Sequence, residues 1–384
     1  MSVRDLIIVG GGPSGLSAAI AAKRRGLDYQ VLEQGVLVNS IYRFPPNLVF
    51  FTTPELLEIG GLPFVTPYDK PTRLEALRYY RRVVDTYDLQ IAFEEKVLSI
   101  GPEGGIEDQV FAVDTQSGRG VRRVRHARHV IIAIGYYDRP NMLNVAGEDL
   151  PHVGHYYVDP HPSYRQRVVV VGGGNSAAEA SLELFRAGAL VTLVHRGPTL
   201  KSTIKYWVRP DIENRIKEGS IAARFNASVV EIRPTSLIVR TGDGRARPEE
   251  PMPMGDSVAT LGWPAVGERE VRSAPAVEAS EPGRVHAPGA AGDTLEELAA
   301  DTVLLLTGYR ADADLMVRAG ITLNQRQAPV FDRETFETNV KGLFVAGGAI
   351  AGVDTGTIFI ENGRFHGEKI VEVIARRLEH AGTV

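Results

Sequence analysis

The chain has 384 residues, 43% hydrophobic and 23% charged, enough for two globular domains and too apolar for a disordered protein. Its 43 basic and 47 acidic residues leave a net charge of −4, which excludes the basic footprint of a nucleic-acid or anionic-membrane binder. Cysteine is absent, which excludes disulfides, thiolate metal sites and a redox-active cysteine pair; no metal site is expected, and no apolar run approaches the ~20 residues that span a bilayer.

The first apolar run, Leu6 to Val9, reads as a strand reached without the basic start and cleavage site of a secretory signal, so a cytoplasmic location is expected. It runs into Gly10-x-Gly12-x-x-Gly15, then a helix with Leu16, Ala19, Ile20 and Ala22 on related faces, then a strand from Tyr29 to Leu32. In such a βαβ unit the first glycine makes a tight turn, the second lets the backbone approach a pyrophosphate and the third packs helix on strand. Glu33, 23 positions after Gly10, stands where a carboxylate accepts hydrogen bonds from an adenosine ribose. FAD and NAD both satisfy that chemistry.

Further along, Ile131 to Ile134 forms an apolar strand closed by Gly135 and Tyr136. The βαβ pattern then recurs: strand Val168 to Val171, turn Gly172-x-Gly174-x-x-Ala177, a helix through Leu184 and strand Val191 to Val194. The residue 23 positions after Gly172 is His195, followed by Arg196. A ribose 2′-phosphate is repelled by a carboxylate and matched by a guanidinium, so this second site is expected to prefer NADPH to NADH. Lys201 and Lys205 follow within ten residues as further phosphate candidates.

Residues 242–292, rich in Pro, Gly, Ala and Glu, read as a surface excursion, with the tract around Trp263 and Pro264 as a possible subunit contact. A strand from Leu304 to Leu306 ends in Thr307-Gly308-Tyr309, echoing the first unit, and a last strand, Leu343 to Val345, leads into Gly347-Gly348. A helical stretch from about Thr357 to His380 follows, with Thr355-Gly356-Thr357 expected to start it beneath the flavin. The expected fold is α/β, two Rossmann-like dinucleotide-binding domains of three-layer ββα type. The first comprises 1–160 and 313–384 and binds FAD; the second comprises 161–312 and binds NADPH. FAD is preferred over NAD in the first because one unit then holds a flavin and the other delivers hydride to it.

Several longer strings carry a more specific resemblance: Val38-Asn39-Ser40-Ile41-Tyr42, Phe51-Thr52-Thr53-Pro54-Glu55, Gly135-Tyr136-Tyr137-Asp138, His155-Tyr156-Tyr157, Asp159-Pro160-His161-Pro162 and Phe359-Ile360-Glu361-Asn362-Gly363-Arg364-Phe365-His366-Gly367. In these the chain resembles the bacillithiol disulfide reductase family, which is similar in fold to thioredoxin reductases but lacks their Cys-x-x-Cys. The resemblance implies FAD, NADPH and reduction of a low-molecular-weight thiol disulfide. Family members usually carry a cysteine in the first glycine turn; here that position is Ser14, which cannot form a mixed disulfide. The expected FAD contacts are Gly10, Gly12, Pro13, Ser14, Gly15, Glu33, Gln34, Asn39, Ser40, Val97, Ala133, Gly135, Gly347, Gly348 and Ile358. Those expected for NADPH are Gly172, Gly174, Asn175, Ser176, Ala177, His195, Arg196, Lys205 and Gly308.

Splitting a disulfide into two thiols requires protons, and Tyr136, Tyr137, His155 and His366 are the candidate donors. Each has a structural alternative: hinge packing for the tyrosines, a linker position for His155, a solvent-facing helix position for His366. Arg43, Arg73 and Arg364 are candidates for pairing with substrate carboxylates. Three rival readings stay open: a ferredoxin–NADP reductase, a flavin monooxygenase, whose Phe-x-Gly-x-x-x-His-type fingerprint the stretch His152 to Val158 does not fit, and a nucleotide sensor. The expected partners are a small-molecule disulfide and, in the first rival reading, a redox protein such as ferredoxin; a homo-oligomer is the symmetric default.

Overall fold

The computed structural model describes residues 3–104, 110–242 and 294–381. The chain begins with strand β1 (Val3–Val9), helix α1 (Pro13–Arg24) and strand β2 (Tyr29–Leu32), then a short helix α2 (Asn39–Arg43) and a longer one, α3 (Arg73–Tyr87). Strands β3 (Ile91–Ala92), β4 (Glu95–Glu103), β5 (Val110–Ser117) and β6 (Arg122–Ile132) complete this stretch. The long strand β6 is shared between two layers. Its first half pairs antiparallel with β5, and its second half lies parallel to β1.

Because side chains alternate across a strand, a strand buried on both faces reads as an unbroken apolar run. Leu6 and Ile8 point into the core shared with α1, whereas Ile7 and Val9 point into the core beneath the β4–β5–β6 meander. This is the three-layer arrangement expected: helices, parallel sheet, meander.

After β7 (Val153–Gly154) the pattern repeats with β8 (Arg167–Val171), α4 (Asn175–Arg186), β9 (Leu190–Val194), α5 (Arg209–Lys217) and β10 (Ala222–Arg224). A second meander follows from β11 (Ala227–Arg233), β12 (Ser236–Thr241) and β13 (Thr294–Ala299), and β14 (Thr302–Leu305) returns to the parallel sheet, whose order is β10-β9-β8-β14-β7. Val168 and Val170 face α4 while Val169 and Val171 face the meander. Residues 153–154 thus pair in the second sheet, ahead of the boundary expected at 160. The excursion expected at 242–292, with Trp263, lies almost wholly outside the described residues.

Helix α6 (Ala313–Arg318) leads back to the first sheet. There β15 (Leu343–Val345) pairs with the end of β6, giving the parallel order β3-β2-β1-β6-β15. The chain ends in α7 (Ile360–Gly363) and α8 (His366–Ala381). The helix therefore starts three residues later than expected and is broken at Arg364-Phe365. Thr357 lies outside it, because the Asn362 side chain donates to the Thr357 carbonyl (2.9 Å) and accepts from the Phe359 N–H (2.9 Å). Helix α8 crosses α1 so closely that an ideal Cβ on Gly367 would overlap the Ala18 backbone. Among the described residues no helix is long and apolar enough to cross a membrane, and no group of three metal-ligating side chains forms.

Candidate functional site: two dinucleotide cradles

At the first glycine turn the three glycines are required for different reasons. Gly10 has a φ of +113°, and an ideal Cβ there would overlap the Ala133 carbonyl; a Cβ on Gly15 would overlap the carbonyl of Gly10. Gly12 differs. Its backbone (φ −80°, ψ 178°) suits any residue, and no protein atom lies within 4 Å of an ideal Cβ. Nothing in the protein requires glycine at this position, and the space beside it leaves the N-terminus of α1 open to the approach of a ligand.

Glu33, at the end of β2, is only 5% exposed and accepts from the Gly11 N–H (2.7 Å) and the Gly35 N–H (2.8 Å). Burial holds its carboxyl above the ordinary carboxylate range, against the pull of those two N–H groups. Each oxygen keeps lone pairs with which to accept from ribose hydroxyls.

On the other side of β1 lie the ends of β6 and β15. Gly135 (φ +64°) leaves an ideal Cβ position 4.0 Å from the Ser40 hydroxyl, and Gly348 lies so close under the Tyr136 ring that a Cβ would come within 2.7 Å of it. Gly347 faces Ser14 on α1, and Gly363 of α7 packs on both, with its ideal Cβ 3.1 Å from the Gly347 Cα and from the Ser14 hydroxyl. Ile358 is buried 3.8 Å from the same Cβ position. Val97 is a buried apolar residue under the meander, at the irregularity where β4 shifts register on β5.

Two expected FAD contacts, Gln34 and Asn39, turn their amides elsewhere. Both donate to Asp138, at 2.7 and 3.5 Å, and Arg43 pairs with the same carboxylate at 3.1 Å. Asp138 therefore fastens the β2–α2 segment to the turn after β6, a role not foreseen although the residue stands in one of the strings above. Arg73 and Arg364, named above as candidates for substrate carboxylates, donate to carbonyls: Arg73 to Ile41 and Tyr42, Arg364 to Glu55 and Glu58.

His366 is neither solvent-facing nor a proton donor near neutrality. It is 5% exposed, stacks on Phe336 (centroids 4.4 Å apart) and accepts the Gly347 N–H at Nδ1 (3.1 Å). Burial, helped by Lys369, lowers its pKa from 6.5 to about 4. Protonation therefore favours the unfolded chain. The stability held by the neutral ring is fully present above pH 6.5 and is lost as the pH falls toward 4, by about 3 kcal/mol at 1.36 kcal/mol per unit. Acid unfolding of the apoprotein should lose most of this slope in His366→Asn, which keeps an acceptor for Gly347; His129, also buried and depressed, leaves a residual slope. An unchanged acid limb would remove the assignment.

Tyr137 turns away from its neighbour. Its ring meets Tyr309, from the end of β14, at 4.5 Å, Phe44 at 4.9 Å and Tyr156 at 5.3 Å, and burial pushes its phenol up to about 12. The Tyr156 hydroxyl donates to the Tyr137 carbonyl (2.9 Å), and Tyr309 donates to the carbonyl of His155 (3.3 Å). His155 itself lies 3.6 Å from Glu148, whose carboxylate accepts from the N–H groups of Leu143 and Asn144. Tyr137 and His155 thus belong to the junction between the two sheets.

The second glycine turn repeats the logic of the first. An ideal Cβ on Gly172 (φ +153°) would lie 2.5 Å from the Leu306 carbonyl oxygen and 3.0 Å from Ala177, whereas Gly174 (φ −100°, ψ −169°) has nothing within 4 Å. Asn175 ties down the neighbouring loop by accepting from the Lys205 N–H (2.8 Å) and donating to the Thr203 carbonyl (3.1 Å), and Ser176 is exposed. At the end of β14, Gly308 (φ +96°) accepts from the Asn141 N–H (2.9 Å).

The expected basic pair divides. His195 is 6% exposed, its ring packed beneath Gly173 and Gly197, so it forms the floor of the turn; Arg196 is exposed. Lys205 is paired with Glu179 (2.5 Å) and sits near Trp207, which also carries Lys70 over its ring at 3.5 Å. Of His195, Arg196 and Lys205, Arg196 is the one whose side chain is exposed.

Comparison with known proteins agrees with this geometry. The family model described as pyridine nucleotide-disulphide oxidoreductase matches residues 7–254 and 273–347, and the chain belongs to that family, whose members imply a flavin and a nicotinamide cofactor. Within it, the chain is 36% identical to bacilliredoxin reductase Bdr of Bacillus subtilis over 97% of this chain and 98% of that protein. The bacillithiol disulfide reductase Bdr of Bacillus cereus superposes with a TM-score of 0.82 at 34% identity, covering 98% of this chain and all of that one. A ferredoxin–NADP reductase of Ignicoccus hospitalis is 27% identical over 68% of this chain and 77% of its own length. The resemblance read from the sequence and the thioredoxin-reductase-like fold are both borne out.

Proposed function

We propose that the chain is an FAD- and NADPH-dependent reductase of a low-molecular-weight disulfide, with bacillithiol disulfide as substrate. One observation carries the reading. The two cradles meet at their far ends, where Tyr137 after β6 and Tyr309 after β14 lie 4.5 Å apart. In an open α/β sheet a dinucleotide lies across the carboxyl ends of the strands. Glu33 takes its adenosine end at β2, so the remainder crosses β1 toward Gly135 and Gly347; Arg196 takes the second at β9, so its remainder crosses β8 toward Gly308. FAD and NADPH bound in this way would bring a two-electron carrier and a hydride donor together.

The protein holds each nucleotide by the helix N-termini behind Gly12 and Gly174, selects by Glu33 against a 2′-phosphate and by Arg196 for one, and packs the junction with three tyrosines. With β7 (Val153–Gly154) pairing in the second sheet, the first cradle is assigned to residues 1–152 and 313–384 and the second to 153–312. Because the chain contains no cysteine, no protein thiol can relay electrons, and the disulfide has to be reduced at the flavin itself.

Arg196→Ala should raise the NADPH requirement about 10–100-fold and leave that for NADH nearly unchanged, because a charge-assisted contact to one phosphate contributes about 1.5–3 kcal/mol. Equal losses with both nucleotides would dismiss the 2′-phosphate role. The function is tested anaerobically: the flavin is reduced with one equivalent of NADPH, and bacillithiol disulfide, other disulfides, ferredoxin or oxygen is added separately. Fastest reoxidation by bacillithiol disulfide is the expected result. Fastest reoxidation by ferredoxin would assign the chain to the ferredoxin–NADP reductase reading.

A further inference from the structure

The two units are joined first at their connectors. The Asn141 N–H donates to the Gly308 carbonyl and the Arg310 N–H to the Arg139 carbonyl, at 2.9 Å each, so that 139–141 and 308–310 run side by side next to the tyrosine cluster. A single seam of this kind leaves the angle between two rigid bodies to be set by a second contact. Lys70 supplies one. Its ammonium, carried by the first unit, stands 3.5 Å over the ring of Trp207 in the second.

Both ends of this contact are anchored to a cradle. Lys70 precedes Pro71, whose carbonyl accepts from the Phe50 N–H (2.9 Å), and Thr72, which caps α3 reciprocally with Glu75. Trp207 lies between β9 and α5 in the loop 201–208, whose Ile204 and Val208 are buried in the core shared with α4. The Lys201 N–H donates to the Gly173 carbonyl (3.0 Å), and Asn175 holds Thr203 and Lys205. The loop therefore moves with the N-terminus of α4, the open end of the second cradle. Tyr206 meets the indole edge to face at 4.8 Å, and Lys205 stands 5.8 Å from its centroid, neutralised by Glu179. Lys70 differs from Lys205: among the described residues no carboxylate pairs with it, and the face of the indole is its counterpart. A cation is attracted to that face by the ring quadrupole, the more so as the pair leaves water.

We infer that Lys70 is a positioning residue for hydride transfer: through Trp207 it holds the nucleotide-binding end of the second unit against the first, at the angle where NADPH in one cradle reaches the flavin in the other. The inference rests on the function proposed above. Lys70 acts through Trp207 and exchanges neither proton nor electron. Hydride transfer depends steeply on the approach of donor to acceptor, so a loosened angle lowers the rate even with the nucleotide fully bound.

Lys70→Gln removes the cation, Lys70→Arg keeps one that stacks on an indole, and Trp207→Leu removes the ring. Measured anaerobically at saturating NADPH, flavin reduction should slow about 3–10-fold in Lys70→Gln and in Trp207→Leu, no further in the double variant, and not at all in Lys70→Arg. FAD content, melting temperature and bleaching by dithionite should stay at wild-type values, and the NADPH concentration for half-saturation should change less than about twofold. Wild-type or faster reduction in Lys70→Gln overturns the inference, as does a loss confined to the NADPH requirement, the mark of a phosphate ligand, or additive losses in the double variant. The readout precedes the acceptor, so failure of this role leaves the reductase reading intact, whereas a wild-type flavin that NADPH leaves oxidised overturns the proposed function and the role with it.

Discussion

Gly12→Val is expected to give a folded but colourless protein. The position has ordinary extended dihedrals and an ideal Cβ meets no protein atom within 4 Å, so the apoprotein should tolerate the side chain within about 1 kcal/mol. The isopropyl group would stand where a pyrophosphate approaches the first N–H groups of α1, and flavin affinity should fall by about 10³-fold, or ~4 kcal/mol. Gly15→Ala is the contrasting control. Its Cβ overlaps the Gly10 carbonyl, so the protein itself should be destabilised by several kcal/mol with or without flavin. Visible absorbance and melting temperature of the purified variants separate the two outcomes; a yellow Gly12→Val protein of normal stability would sink the assignment of the first cradle.

Gly174→Val should give the complementary phenotype, a yellow protein that NADPH cannot reduce. The second turn has the same open position, so the valine should leave fold and flavin in place while blocking the nicotinamide nucleotide. Dithionite should still bleach the flavin at the wild-type rate. Reduction by NADPH should be at least about 10²-fold slower, since the lost nucleotide contacts amount to several kcal/mol. NADPH reduction at an unaltered rate would place the hydride donor elsewhere on the molecule.

These two variants test the part of the site most legible in the sequence, and the reason is physical. A glycine turn is a local object: strand, Gly10-x-Gly12-x-x-Gly15, helix and the acid after the next strand are fixed by a few consecutive residues, and the same holds for Gly172 to Arg196. Strands buried on both faces, such as Val168 to Val171, stand out as apolar runs. The meander layer was expected but its strands were not located, because β5 and β13 mix polar and apolar residues and β6 opens on Arg122-Arg123-Val124-Arg125.

Side-chain direction was the other illegible quantity. Nothing adjacent to His195 announces that its ring goes under Gly173 while Arg196 stays outside. Gln34 and Asn39 direct their amides to Asp138, about a hundred residues away in the chain, and Lys205 pairs with Glu179 on α4. His366 looked like a solvent-facing helix residue because its partners, Gly347 and Phe336, belong to segments it meets only in the folded molecule.

The double duty of β6 carries a consequence for how the molecule is made. Its second half is flanked by β1, synthesised before it, and by β15, synthesised nearly last. The second sheet has all its strands once Leu305 has left the ribosome; the first is complete only when Val345 has. For that interval the nascent protein carries a finished C-terminal neighbour and an N-terminal sheet with Val130, Ile131 and Ile132 on an open edge, the kind of apolar edge that recruits chaperones or a second chain. The two sheets are thus completed in the reverse of the order in which they begin along the chain.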